Sequence, residues 1–439
     1  MQQMLKRIFI LLLVTFSQNV IAQQIGVSPY SQFGIGDVAN ETFSRNASMG
    51  GAGLASSHML YINPLNPASN INNGTVIYEF GLIGQIKTLK TSAASDKASG
   101  ANLNYIGMMF PLKSKISKGR KINQWVIGAG LKPYSSTNYL NNYSYKVTND
   151  TSTVLATSKG EGGLNQVYLS NGVRISENWS IGLTSAYVFG PLKKESILTV
   201  DGSTIDNTQN NNLSSVFLKP AITFKKQLGD YDSTQTKSKT FVSFAATMDW
   251  FGSMKSSSVT ETQRIRLADG YILRRDTLTQ KDNFSSSLPF TYNVGFAMDN
   301  IGYNQIQKWS LAADFSFADW SKYSTFGENA QLGKMYSVKL GGEYTPTYVA
   351  TKSLLNRLTY RAGFYYNHTP VTYLGNEIVD FGATLGFAFS IPKTLTNFNV
   401  GFGAGQKGTT TNGAIQEQYL KMYLGVNIND IWFFKRQLN

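Results

Sequence analysis

His58 and His368 are the chain's two histidines, and cysteine is absent. Hydrolysis needs a nucleophile, a base and an orienting group within reach of one another. His58 stands in SSHMLY and His368 in YNHTP, which reads as a strand-ending turn; neither sequence context makes a base. Two distant histidines also form a weak metal set. No enzyme activity, cofactor or metal is expected. Gly50, Gly51 and Gly53 suggest a second chemistry, phosphate binding. A dinucleotide loop needs G-x-G-x-x-G between a strand and a helix. The spacing here is G-G-x-G, and no long segment has a helical period. These glycines read better as packing devices that admit close backbone approach and φ > 0 turns. A third group is charged. Asp314, Lys339 with Glu343, Arg361, and Asp380 fall on the small or polar faces of four consecutive segments. One reading is a structural ladder of cross-strand pairs that also anchors the N-terminal segment. The other is that Lys339 or Arg361 holds a ligand carboxylate or lines a solute path.

The elements that must position these groups have period two. Phe290, Tyr292, Val294, Phe296 and Met298 alternate with Thr291, Asn293, Gly295 and Ala297. Trp309 to Phe317, Leu358 to Tyr366 and Val379 to Phe389 repeat the rule. Side chains on a strand point alternately to its two faces, so each segment has one bulky apolar face and one small or polar face. Roughly 14 such segments of about 9–12 residues follow one another. Some connections are short, such as Ile175 to Asn178; others are long and polar, such as Asp201 to Asn212 and Tyr231 to Thr240. A transmembrane antiparallel β-barrel has this grammar. Lipid cannot satisfy an open sheet edge, so the sheet must close.

Composition agrees. Aromatic residues reach 13% and charged residues only 15%, with a formal net charge of +14. Lys6 and Arg7, the apolar run Ile8 to Phe16, and Val20-Ile21-Ala22 before Gln23 read as a cleaved signal peptide over residues 1–22. Export makes nucleic acid an unsuitable partner and places the mature chain in a Gram-negative outer membrane, among lipid and lipopolysaccharide. The basic run Leu112 to Lys121 reads as a solvated turn whose lysines meet anionic headgroups or lipopolysaccharide phosphate.

Met49-Gly50-Gly51-Ala52-Gly53-Leu54-Ala55, followed by Asn66-Pro67-Ala68, resembles the N-terminal signature of the outer-membrane long-chain fatty-acid transporter (FadL-type) superfamily. The flanking SPYSQFGIGD and the closing NDIWFFKR look like its Bacteroidota branch, which includes a barrel subunit docking on the type IX secretion translocon. The resemblance implies about 14 strands (residues 74–439) around a small N-terminal lumenal hatch (residues 23–73). It places Gly50, Gly51, Gly53, Asn66 and Pro67 in the hatch, with Tyr30, Phe33 and Tyr61 as pocket or plug contacts. Where the family usually has an acidic residue, Ser56 to Ile62 contains none. The expected function is passive uptake of hydrophobic or amphipathic small molecules. The alternative is a non-transporting barrel that binds a secretion-machinery partner through its loops.

Overall fold

The computed structural model describes residues 27–39, 42–117, 120–146, 153–200, 202–229, 238–302, 307–325, 328–329, 332–346, 355–391 and 394–430. The expected signal peptide (residues 1–22), the Trp432-Phe433-Phe434 ending and most of the stretch from Tyr231 to Thr240 lie outside them.

Fourteen wall strands run up and down: β1 (Val76–Lys90), β2 (Ser95–Ser117), β3 (Arg120–Ser136), β4 (Thr153–Arg174), β5 (Trp179–Val200), β6 (Ser203–Leu228), β7 (Lys239–Phe251), β8 (Thr291–Ile301), β9 (Gln307–Asp319), β10 (Lys334–Tyr344), β11 (Thr359–Tyr373), β12 (Asn376–Ser390), β13 (Asn397–Lys407) and β14 (Gln416–Asp430). Each pairs antiparallel with its neighbours, and β14 pairs with β1 from Asp430↔Val76 to Gln416↔Lys90. The barrel is closed.

The alternation decides which face meets lipid. On β9, Leu311 is 57% exposed and Ala312 only 5%. Tyr292, Val294 and Phe296 on β8, and Phe381, Leu385, Phe387 and Phe389 on β12, are exposed in the same way. Trp125, Trp179 and Tyr344 stand near the short-turn end, and Tyr187, Phe189, Trp250 and Tyr292 near the other, as interfacial girdles do. Asp314, Lys339, Glu343, Arg361 and Asp380 all lie on the lumenal faces of the consecutive strands β9 to β12.

Some connections differ from expectation. The polar stretch from Asp201 to Asn212 is not a loop: from Ser203 onward it is the upper part of β6, paired with β5 on one side and with Met254–Arg266 on the other. Backbone ladders hold it, so polar side chains are tolerated on both faces above the membrane. His368 likewise lies inside β11 rather than at its end, stacked on Tyr336 with ring centroids 4.5 Å apart. The strands β4, β5 and β6 have 22, 22 and 26 residues, far beyond the roughly 9–11 that span a bilayer. Their upper halves join Tyr139–Lys146, Met254–Arg266 and Ile272–Ser286 in a tall sheet on one side of the barrel. Outer-membrane barrels turn their longer connections outward, which makes this the extracellular end. The described parts of the Leu112 to Lys121 run, residues 112–117 and 120–121, are the paired ends of β2 and β3 at the opposite end. They therefore sit away from the leaflet where lipopolysaccharide would be met.

Replacing Leu340, which is exposed to lipid near the middle of β10, with Arg should lower barrel stability by about 2–4 kcal/mol. Urea unfolding in liposomes measures it.

A hatch-sealed lumen as the candidate functional site

Residues 42–73 cross the lumen as a hatch that meets every wall strand. Small wall residues make this possible. A Cβ on Gly363 of β11 would stand 2.0 Å from the Met49 carbonyl carbon, and one on Gly341 of β10 would stand 2.3 Å from the Met49 oxygen. A Cβ on Gly107, Gly172, Gly182, Gly295, Gly386, Gly401 or Gly425, from β2, β4, β5, β8, β12, β13 and β14, would stand 2.2 to 2.9 Å from a hatch atom. Ala245 of β7 packs in a cluster with Met49 and Leu54. Polar contacts complete the ring. Glu79 of β1 accepts from Ile62 N at 2.8 Å, Asn123 of β3 donates to the Asn73 carbonyl, and Asn66 Nδ2 donates to Thr223 of β6 at 2.8 Å. Asp314 of β9 accepts from Gly53 N at 2.7 Å and Leu54 N at 2.9 Å.

The hatch motif folds accordingly. Gly50, Gly51 and Gly53 have φ of +68°, +79° and +125°, a region that side chains with a Cβ rarely adopt. Gly50 N donates to Thr384 of β12 at 2.8 Å. Asn66 Oδ1 accepts from Ala68 N at 2.9 Å, turning the chain at Pro67, whose carbonyl lies against Gly172.

The charged residues divide into two groups. Glu343 is shared: Arg45 of the hatch reaches it at 2.7 Å and Arg361 at 2.9 Å, with every partner nearly fully buried. Arg361 also donates to Asn399 at 2.7 Å and lies 5.0 Å from the Tyr61 ring centre. It is thus engaged by wall and hatch. Arg45 additionally donates to Ser56 at 3.1 Å, whose hydroxyl in turn donates to Asp299 at 3.2 Å. His58 sits beside this cluster, its Nδ1 accepting from Leu60 N at 3.1 Å. Burial, then the nearby Arg45, Arg361 and Lys225, push its pKa down to about 3 against the opposing pull of Glu343. Lys339 faces Asp314 across the β9–β10 register and lies against Gly51. Asp380 accepts from the Tyr419 hydroxyl and from Asn367 at 3.4 Å.

Above the hatch floor the chain from Ser28 to Ala39 forms a strap in the extracellular half. Ser28 donates to Glu417 at 2.6 Å, Lys87 pairs with Glu417 at 2.7 Å, and Lys407 pairs with Asp37 at 2.6 Å. Burial alone would raise the Asp37 pKa, but the Lys407 and Lys87 ammonium groups, with hydrogen bonds from Lys407 and Ser28, together hold the carboxyl below its usual range. Tyr30 and Phe33 pack edge-on against Tyr373 at 5.9 and 6.0 Å.

The wall is incomplete beside this strap. Pairing between β2 and β3 stops at Ile106↔Leu131. Above it, β3 turns inward at Pro133, and its free edge pairs with the strap: Val38↔Ser135 and Asp37↔Ser136. Proline removes a ladder donor and belongs at such an edge or bulge. The bend carries into β4 at Gly163, where φ is +156° and a Cβ would stand 2.4 Å from the Ser135 carbonyl. On the other lip, Asn104 of β2 donates to the Thr42 carbonyl at 3.1 Å. Between floor, strap and gap lies a cavity of about 600 Å³. Tyr30, Phe33, Tyr134 and Phe217 line it, with Lys132, Lys219 and Lys339. Lys219 pairs with Asp249 at 3.2 Å, whereas Lys132 makes no hydrogen bond or ion pair among the described residues.

The family model BamG matches residues 4–439. The chain belongs to the BamG family. None of the curated proteins compared with it matches. Among solved structures, this BamG-family barrel is similar to the toluene transporter TodX of P. putida, at 15% identity and a TM-score of 0.57, over 90% of this chain and all of that one (100%). It is similar to the toluene transporter TbuX of Ralstonia pickettii, at 14% identity and a TM-score of 0.56, over 89% and 98%. A Pseudomonas aeruginosa FadL homologue matches at 10% identity and a TM-score of 0.55, over 90% and 99%. At such identities the likeness establishes the fold alone, a closed antiparallel barrel like those of these three proteins.

Reasoning from sequence missed the hatch's own cation, Arg45, and the wall carboxylates Glu79, Asp299 and Glu417 that meet the N-terminal segment. Part of the signal was present: Asp299 sits on the small-residue face of an alternating strand, whereas Glu417 shares its face with Tyr419, Lys421 and Tyr423.

Glu343→Ala would strand two buried arginines and should cost about 3–5 kcal/mol, with the hatch becoming sensitive to added protease. The His58 shift has its own sign. Its pKa is lower in the folded state than in the unfolded one, so the unfolded chain binds more protons between about pH 6.5 and pH 3. Stability should fall as pH drops through that window. His58→Gln should flatten the slope in a pH series of unfolding curves.

Proposed function

We propose that this BamG-family barrel takes up hydrophobic or amphipathic small molecules passively, through the lumenal cavity and out by the gap between β2 and β3. The cavity beside that gap is the observation that carries this reading. The hatch floor touches all fourteen strands, so a straight path to the periplasm would require many contacts to break at once. A sideways path needs only the strap to shift. Mechanism is then diffusion: aromatic walls take the apolar part of the ligand, and release follows into the bilayer.

The lining refines the substrate class. TodX and TbuX are described as toluene transporters. Here Lys132 stands one residue above the last β2–β3 pair, at the foot of the gap, facing a cavity that also contains Lys219 and Lys339. A charge-assisted bond from Lys132 suits an amphiphile with an anionic end. Arg361, already bound to Glu343 and Asn399, does not suit that role. The cavity and gap also favour uptake over a barrel that only docks a secretion partner.

Uptake of a radiolabelled medium-chain carboxylate and of toluene, measured in liposomes carrying the barrel, tests both levels. Lys132→Glu should slow the carboxylate about tenfold, the loss of roughly one charge-assisted contact, and leave toluene unchanged. Equal slowing of both would remove the anionic refinement. No uptake of either by the unaltered barrel would remove the transport reading.

A further inference from the structure

Two wall tyrosines meet the start of the hatch, and only one has its hydroxyl satisfied. Tyr105 of β2 stacks on Phe43 with ring centres 3.7 Å apart. Its hydroxyl donates to Ser44 Oγ at 2.9 Å and accepts from Ser44 N at 3.0 Å. Tyr168 of β4 is 6% exposed, and its hydroxyl is buried with no hydrogen-bond partner among the described residues. Buried hydroxyls are nearly always paired, and an unpaired one is costly.

Its place gives that cost a use. The last lumenal pair below the gap is Gly107↔Gly130, directly beneath the final pair Ile106↔Leu131. Tyr168 stands opposite Gly130 on β4 and lies across both glycines. A Cβ on Gly130 would stand 2.5 Å from the Tyr168 hydroxyl oxygen, and one on Gly107 would stand 3.1 Å from it. Glycine inside a strand marks such a close approach. The same Cβ on Gly107 would stand 2.9 Å from the edge of the Phe43 ring, which packs in one buried cluster with Tyr168.

Lys132 is two residues above Gly130 on the same face, so Tyr168 and Lys132 are diagonal neighbours across the β3–β4 ladder. Long side chains reach each other at that separation. Gln166, opposite Lys132, is also buried and makes no hydrogen bond among the described residues. All three line the cavity. A carboxylate accepts several bonds at once, and bonds to an ionised group are the strong ones. An ammonium and a hydroxyl, both unpartnered at the foot of the gap, match that need.

We propose that Tyr168 is the second donor of an anion seat with Lys132, and that the Phe43 ring caps its hydroxyl until a carboxylate arrives. Tyr168 thereby sets the preference for carboxylate-ended over uncharged ligands. This rests on the uptake reading and adds to it a residue and a moving part.

The test uses the full barrel in liposomes, with decanoate and toluene as probes. Tyr168→Phe removes the hydroxyl alone. It should lower the decanoate-to-toluene uptake ratio about tenfold, the loss of one hydrogen bond to a charged group. The midpoint of urea unfolding should not fall, because no bond within the protein is lost. With Lys132→Gln already present, Tyr168→Phe should lower the ratio much less, since both donors act on one carboxylate. Phe43→Ala should tighten decanoate binding about threefold, because no shift of the ring is then needed. That gain should vanish when Tyr168→Phe is added. Heat-shift gels verify that each variant keeps its barrel. The proposal is overturned if Tyr168→Phe leaves the ratio unchanged while Lys132→Glu still lowers it, a result under which the uptake reading stands. It is overturned equally by independent effects of the Lys132 and Tyr168 substitutions, or by a Phe43→Ala effect that ignores Tyr168. No uptake by the unaltered barrel removes the uptake reading, and this proposal with it.

Discussion

The interaction on which the structure depends is the contact between hatch backbone and wall backbone. A barrel of fourteen strands has an interior too wide for its own side chains to fill. Here an N-terminal segment fills it, and that imposes two demands. The segment must come within van der Waals reach of the wall on all sides, which the inward-facing glycines allow. Its peptide groups, removed from water, must also find partners, because a buried unpaired N–H or C=O is costly.

The second demand explains where the carboxylates are. The hatch floor from Ser44 to Asn73 contains no acidic residue and one arginine. Every carboxylate that meets it comes from the wall: Asp314 and Glu79 accept from hatch amides, Asp299 from Ser56, and Glu343 from Arg45. Each acceptor thus sits on a strand already fixed by two neighbours. A carboxylate held this way is pre-oriented, so little side-chain entropy is lost when the hatch docks. Buried ion pairs such as Arg45–Glu343 seldom add net stability over an apolar packing. Their value here is geometric, because one seating of the hatch satisfies Glu343 from both sides.

Much of this was legible in sequence. Period-two alternation, the expected export signal and low charge led to the barrel, since lipid outside and lumen inside impose opposite chemistry on successive residues. Gly50, Gly51, Gly53 and Asn66 marked the hatch because few other residues take those turns. The seats opposite them were harder to read. Gly341 and Gly363 look like ordinary small-face residues until the hatch is placed against them. Pairing across long separations was also hidden: Arg45 and Glu343 are 298 residues apart, and no local pattern joins them. The polar upper strands read as loops for a related reason. Above the membrane neither face is apolar, so alternation, the signal that marks strands elsewhere, disappears.

The asymmetry of the wall links these features. Strands β3, β4 and β5 bend inward at Pro133, Gly163 and Gly190, and β4 to β6 also rise into the tall sheet. The same strands therefore shape the cavity below and the exposed face above. An inward bend would leave the β3 edge unpaired at membrane depth, which lipid cannot tolerate. The strap answers that requirement by adding its own strand at Asp37–Val38, and so becomes part of the wall rather than a loose plug. Its binding energy is then divided between two tasks, satisfying the β3 edge and packing Tyr30 and Ile35 into the apolar cluster under the tall sheet. In the uptake proposed above, a molecule passing from the cavity to the gap would have to compete with both. That would favour ligands that offer the strap's own combination, an aromatic or aliphatic body with a polar end.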